Sequence, residues 1–282
     1  MRSALALSFL LFSSACTGPS RASDPGAVTR SLEAPVTSAD PSLRAMTFNI
    51  QSGHHGLDRV AEVIRKASPD VVALQEVDRG TRRANGLDQA HELAKRTGLT
   101  HSAHFATTRM AGGEYGVALV SRFPIRSTRF YELPTPRGLE PRGVAHAVLD
   151  LDGQDISVYV THLTNLPRRS ELRFDQARFI ARLVRDDPRP VLLMGDLNDA
   201  PDSPALLHLK RRLADAFARK GRGPDETYPL PSLLPDLRLD YVLSSPELAA
   251  RDVYVLREVA SDHYPVIADF ALPAAPVARS DR

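Results

Sequence analysis

Six short polar pieces punctuate this chain. Each stands at or just past the end of an apolar run that reads as a β-strand. They are Thr47-Phe48-Asn49-Ile50, Gln75-Glu76-Val77-Asp78, Thr161-His162-Leu163, Gly195-Asp196-Leu197-Asn198, Leu239-Asp240-Tyr241-Val242 and Ser261-Asp262-His263. A strand buried on both faces reads as an unbroken apolar run, as residues 71–74 and 191–194 do. A polar side chain ending such a run sits at the rim of a sheet. Strand ends of one core lie close together, so these side chains can converge on one pocket. Two histidines, several hard oxygen donors and no obvious serine or cysteine nucleophile point to metal-assisted attack of water on a phosphate ester.

The pieces span the chain without a long linker between them, so we read one domain over residues 43–272. Its elements follow from periodicity. Residues 44–50 form a first strand. Leu57, Val60, Ala61 and Ile64 recur at helical spacing, and that helix closes near Ser68-Pro69. A short helix over 91–97 ends at Gly98. A hairpin region follows, with Gly112-Gly113 as its turn and a strand over 115–121. Asp152-Gly153 joins strands 144–151 and 156–161 as a hairpin. A helix over 170–184 turns Leu172, Phe179, Leu183 and Val184 inward. Ser203-Pro204 opens another by cap and first-turn proline. Late strands cover 239–243, 253–256 and 266–270, and 273–282 reads as a frayed tail.

The 43% hydrophobic content suffices for a sizeable core. A formal net charge of +2 is not that of a protein held on nucleic acid by bulk charge. Residues 1–15 carry Arg2, an apolar run over 4–12 too short to span a bilayer, and the small residues Ser13-Ser14-Ala15. Cys16 follows as the only cysteine, so no intramolecular disulfide forms. The segment resembles a bacterial lipoprotein signal. That implies a lipid anchor on Cys16 and a place in the bacterial cell envelope, as a periplasmic or outer-membrane lipoprotein. The alternative is an ordinary secretory signal cleaved near Ala15 or beyond, and a secreted protein. Residues 16–42, rich in Ser, Pro, Ala and Thr, read as a flexible tether.

In this order, the six pieces resemble the endonuclease/exonuclease/phosphatase superfamily, over roughly residues 44–272. Its members include deoxyribonuclease I, abasic-site endonucleases, bacterial sphingomyelinases and inositol polyphosphate 5-phosphatases. The resemblance implies a four-layer α/β/β/α sandwich, two packed mixed sheets flanked by helices, with the site at one end of the sheets. It also implies that Glu76 is the principal ligand of Mg²⁺ or Mn²⁺, with Asn49 and Asp262 assisting. Asp196 then positions or deprotonates the attacking water, and Asn198 and His162 hold the phosphate. His263 contacts the phosphate or acts as base, with Asp240 orienting its ring. The sequence leaves the base role open between Asp196 and His263. Tyr115 matches a phosphate-contacting aromatic, or is an ordinary strand tyrosine. Arg122 matches a recurrent family position for substrate, although an ion pair suits it better.

The leading expectation is an exported, monomeric, metal-dependent phosphoesterase acting on a small or lipid-derived phosphate ester. A nuclease is the alternative. Arg79, Arg82 and Arg83, or Arg168-Arg169, could begin a track for a nucleic-acid backbone. A non-catalytic binding protein on the same fold is a second alternative. A degenerate member would be expected to lose Glu76, Asp196 or His263, and all three are present.

Overall fold

A computed structural model describes residues 42–230 and 234–272. The expected signal, Cys16 and nearly all of the tether and tail lie outside the described residues. The β-forming runs assemble into two six-stranded sheets. The first has the order β11-β12-β1-β2-β4-β3. It is built from β1 (Ser42–Asn49), β2 (Val71–Arg79), β3 (His101–Met110), β4 (Gly113–Ser121), β11 (Ala249–Val255) and β12 (Val266–Ala271). The second runs β5-β6-β7-β8-β10-β9. Its strands are β5 (Ile125–Glu132), β6 (Gly143–Leu151), β7 (Gln154–His162), β8 (Val191–Asp196), β9 (Ala214–Asp215) and β10 (Asp240–Ser244). Each sheet is mixed: β1 pairs parallel with β2, and β7 with β8, while the other pairings are antiparallel.

The pleat sorts apolar side chains into layers. Leu43, Ala45, Val71, Ala73, Val117 and Leu119 share a cluster with Leu149, Ile156, Val158, Leu192, Met194 and Val242, which fills the space between the sheets. On the outer face of the first sheet, Met46, Phe48, Val72 and Leu74 pack with α1 (Leu57–Ala67) and α2 (Gln89–Thr97). On the outer face of the second, Tyr159, Leu193 and Tyr241 pack with α3 (Ser170–Arg185) and α4 (Pro204–Leu209). The result is the four-layer sandwich. A short α5 (Ala216–Lys220) follows β9.

Several boundaries differ from the sequence reading. The second helix begins earlier, at Gln89, because the Asp88 side chain caps it by accepting from His91 N at 3.1 Å. β5 was not anticipated, and β3, the first strand of the hairpin at Gly112-Gly113, had no bounds in the sequence reading. Both are edge strands, mostly polar and only partly buried, so no apolar alternation announces them. α3 turns a wider face inward than expected: Val184 is buried and Phe179 and Leu183 pack half-buried against the core, but Arg173, Gln176, Ala177 and Ile180 are buried with them, and Leu172 is only half-buried. Two polar residues go inside because each has a fixed partner. Arg173 Nε donates to Asp199 at 2.9 Å, and Gln176 Oε1 accepts from Thr164 N at 3.1 Å.

Candidate active site

Strand register sets the site. In the first sheet Asn49, the last residue of β1, lies opposite Gln75 in the middle of β2. In the second, His162 and Asp240 both pair with Asp196, so the three form a row across β7, β8 and β10. Gly195 makes this row possible. Its φ is +153°, and a Cβ there would stand 2.0 Å from Thr161 O. Glu76 sits on a bulge: Gln75 pairs with Val117 and Val77 with Gly116, leaving Glu76 unpaired at φ +57°. A bulge re-aims one side chain without breaking the strand. Gln51, Ser52 and Asn198 also take positive φ, so backbone strain gathers around this rim.

The two sheets meet through Asn49. Its Nδ2 donates to Glu76 Oε1 at 3.0 Å within its own sheet and to Asp196 Oδ2 at 3.2 Å across the sandwich. Asp196 Oδ2 is the hub, with His162 Nε2 at 3.4 Å and His263 Nε2 at 3.7 Å. Asp196 Oδ1 accepts from Asn198 N at 2.9 Å, and Asn198 Nδ2 donates to Leu163 O at 3.2 Å. His263 Nδ1 meets Asp240 Oδ2 at 2.8 Å. Asp262 closes the far side, where its Oδ2 accepts from Gln51 Nε2 at 2.9 Å. Two oxygens, Gln51 Oε1 and Asp240 Oδ1, are buried with no hydrogen-bond partner.

The electrostatics separate the two imidazoles. Burial, with Arg142 and His263 nearby, pushes His162 well below the usual histidine range, so it is neutral. Burial also opposes charge on His263, but Asp240, Asp196 and Asp262 outweigh it and push His263 up to about 10. Burial and Asp240 raise Asp196 to about 7, against the opposing pull of His263. Burial raises Glu76, Asp262 adds to the rise, and the hydrogen bond from Asn49 opposes it. Carboxylates pushed toward neutrality in this way would be relieved by a cation among them. Asp196, Asp240 and His263 also offer ligand atoms within 4.8 Å of one another, and such a trio could hold a metal ion.

Arg122 is not brought to the site. It follows β4 and pairs with Asp70 at 3.0 Å, beside the start of β2 where Val71 faces Ser121. That is the far end of β2 from Glu76. Tyr115 is at the site: it is buried, its hydroxyl raised first by burial and then by Glu76. The arginine that does reach the site is Arg142, missed in the sequence. It is 3% exposed, donates to Glu140 Oε1 at 2.7 Å and acts on Glu76, Tyr115 and His162. Its Nε is buried without a partner. Tyr228 was missed too, and its ring lies 4.7 Å from that of His263. Neither residue ends an apolar run, so the signal that found the other residues could not find these.

A profile of the Endonuclease/Exonuclease/phosphatase family matches residues 46–263. The fold is similar to that of an endonuclease/exonuclease/phosphatase from Beutenbergia cavernae DSM 12333. That protein is 30% identical, with 84% of this chain and 73% of that one covered and a TM-score of 0.70. A Bacteroides vulgatus endonuclease/exonuclease/phosphatase shares the fold at 20% identity, over 82% of this chain and 99% of that one, with a TM-score of 0.69. So does a mannosyl-6-phosphatase from Bacteroides thetaiotaomicron VPI-5482, at 16% identity over 81% and 99%, with a TM-score of 0.66. Among curated proteins, the protein cwh43 of Schizosaccharomyces pombe (strain 972 / ATCC 24843) is 29% identical over 163 residues. That is 55% of this chain but only 16% of the relative's length.

Proposed function

The chain belongs to the endonuclease/exonuclease/phosphatase family, and from that premise we propose that it is an exported phosphoesterase that hydrolyses a small phosphate ester with a divalent cation. One observation carries the reading. Asn49, Glu76 and, from the loop between β11 and β12, His263 come from one sheet, and His162, Asp196 and Asp240 from the other; they converge around Asp196 Oδ2.

The donor set fits a hard cation. Glu76 and Asp262 present carboxylate oxygens, Asn49 Oδ1 is turned to Gln51 N at 3.1 Å and would take part in an ion's shell through its second lone pair, burial raises Glu76, and Gln51 Oε1 is an unmatched acceptor beside Asp262. These are the ligands that Mg²⁺ or Mn²⁺ takes, and such an ion would neutralise charge on the phosphoryl oxygens. The chain's own groups do the rest. Asp196, near neutrality in its proton affinity, takes the proton of the attacking water. His263 is charged and held by Asp240, so it serves as cation and acid rather than base. Neutral His162 and the Asn198 amide donate to the phosphoryl oxygens, and buried Arg142 adds fixed positive charge.

A nucleic-acid substrate has less support. Arg79 pairs with Glu114, and Arg83 is held by Asp78 through two hydrogen bonds at 2.6 and 2.9 Å. Two of the five arginines of the expected basic track are thereby neutralised. Residues 1–16 support export, and no helix among the described residues is long and apolar enough to cross a membrane. The deciding experiment assays plasmid DNA, sphingomyelin, sugar phosphates and bis-p-nitrophenyl phosphate with Mg²⁺, Mn²⁺ and EDTA. Hydrolysis abolished by EDTA and restored by either ion is the expected result. Full activity in metal-free protein would overturn the mechanism, and faster, salt-sensitive cleavage of DNA would make it a nuclease.

A further inference from the structure

A cavity of about 340 Å³ opens beside Glu76, lined by Gln51, Ser52, Gly53, His54, Glu76 and Arg83. It shares its Glu76 wall with the site above, so an ester whose phosphate sits among Glu76, Asp196 and His263 can extend its organic part into it. The cavity's chemistry is unusual for a ligand site. Such sites are mostly apolar with a few polar groups, yet no apolar side chain lines this one.

The walls are rigid. Gln89 is buried, its Nε2 donates to Ser52 O at 2.7 Å, and its Oε1 accepts from Asp78 N at 2.8 Å. Arg83 is pinned on both sides. Its Nε and Nη2 donate to Asp78, and Nη2 also donates to Ser52 Oγ at 2.8 Å. Asp78 is fully buried and cancels the charge of Arg83, while Glu76 is itself acidic. The lining therefore lacks the excess positive charge that a second phosphate would require. The Tyr115 ring is already covered by the Arg83 guanidinium at 5.4 Å, which leaves the small His54 imidazole as the stacking surface on the lining for a nucleobase. An acyl chain finds little apolar surface, since the lining is mostly polar. What remains is a dense set of donors and acceptors around a space of about 340 Å³, enough for a sugar ring or a short polyol.

We infer that this cavity binds the organic group of the ester, and that this group is uncharged and hydroxyl-rich, a sugar or short polyol. The inference rests on the phosphoesterase reading and narrows its substrate class. His54 and Arg83 then act as specificity residues, donating to substrate hydroxyls. A hydroxyl-bearing group satisfies the lining, whereas an apolar analogue strips water from it without replacing the hydrogen bonds.

Matched pairs of esters test this. Glucose 6-phosphate is compared with cyclohexylmethyl phosphate, and glycerol 3-phosphate with propyl phosphate, each as the monoester and the methyl diester, with Mg²⁺. Thymidine 5′-monophosphate represents the nucleobase class. The expected result is a kcat/KM at least about 10-fold higher for the hydroxylated member of each pair. In His54→Leu and Arg83→Lys that ratio should fall toward one. Arg83→Lys keeps a cation beside buried Asp78, and exposed His54 gives a second variant should the first fold poorly. A ratio of one or less in wild type, a higher rate on the nucleotide, or a ratio unchanged in folded variants of both residues would overturn the inference.

If no ester in either class is hydrolysed, it is the phosphoesterase reading that fails. Calorimetric titration of the same pairs with Mg²⁺ then judges the cavity alone. Tighter binding of the hydroxylated member, lost in His54→Leu, supports it; equal or absent binding overturns it.

Discussion

At the scale of single residues, the site is a group of carboxylates with too few cations to balance them. Glu76 and Asp196 are both raised, in each case first by burial. Glu76→Gln removes one anionic ligand and keeps the shape. We expect weaker Mg²⁺ and Mn²⁺ binding by calorimetry and metal-restored turnover lower by about 10- to 100-fold. Unchanged affinity would remove Glu76 from the ligand set. The charged imidazole gives a pH signature. His263 is raised from 6.5 to about 10, so the stability it contributes is complete below pH 6.5 and lost as pH rises through about 10. Buried His162 and half-buried His104 and His146, all with lowered values, are neutral in both states above pH 7 and do not contribute there. EDTA-treated protein should therefore melt at lower temperature as pH goes from 7 to 10. His263→Gln should flatten that slope, and an equal slope in both proteins would show that the charged pair with Asp240 is not what titrates.

At the scale of elements, the site depends on two departures from regular strand. The bulge at Glu76 turns a side chain of β2 toward the rim. Close approach of β7 and β8 at Gly195 sets His162 against Asp196. Gly195→Ala would place a methyl 2.0 Å from Thr161 O, so the parallel pair must spread. We expect a loss of about 1–3 kcal/mol, the scale of an overpacked core, and a larger loss of activity as His162 leaves Asp196. Gly153→Ala is the control. It has a positive φ of +95° but open space around the added carbon, so its strain comes without a clash. A melting temperature for Gly195→Ala at or above that of Gly153→Ala would refute the close-packing argument.

At the scale of the whole molecule, function requires both sheets. Asn49 joins Glu76 to Asp196 across the sandwich, so neither half holds a complete site. The near balance of charge, +2 overall, fits a small ester better than a polyanion. Delivery of the domain is a separate question, carried by residues 1–16. If Cys16 carries a diacylglycerol, its two acyl chains suffice for stable attachment where one is marginal. Cys16→Ser in the expressing bacterium should then yield soluble or unprocessed protein. Mass spectrometry of the mature N-terminus checks this: an unmodified start beyond Cys16 would indicate a plain secretory signal.

The sequence by itself determined the strands with unbroken apolar runs, the hairpin at Asp152-Gly153 and the identity of the polar residues that end those runs. These are local properties: a buried strand must be apolar, and a tight turn needs residues that tolerate positive φ. The tertiary structure decided what has no local signal. Edge strands β3 and β5 are polar and form because a neighbour offers hydrogen bonds. Arg142 reads in sequence as one arginine among many, and only packing makes it the buried cation of the site, while Arg122 goes to Asp70 at the opposite end of β2. The cavity beside Glu76 likewise exists only because Gln89 and Asp78 fix Ser52 and Arg83 around it. Which residues could do chemistry is written in residue type and strand position. Which of them share a charge, a proton or a pocket depends on distances between segments far apart in sequence, and packing alone sets those.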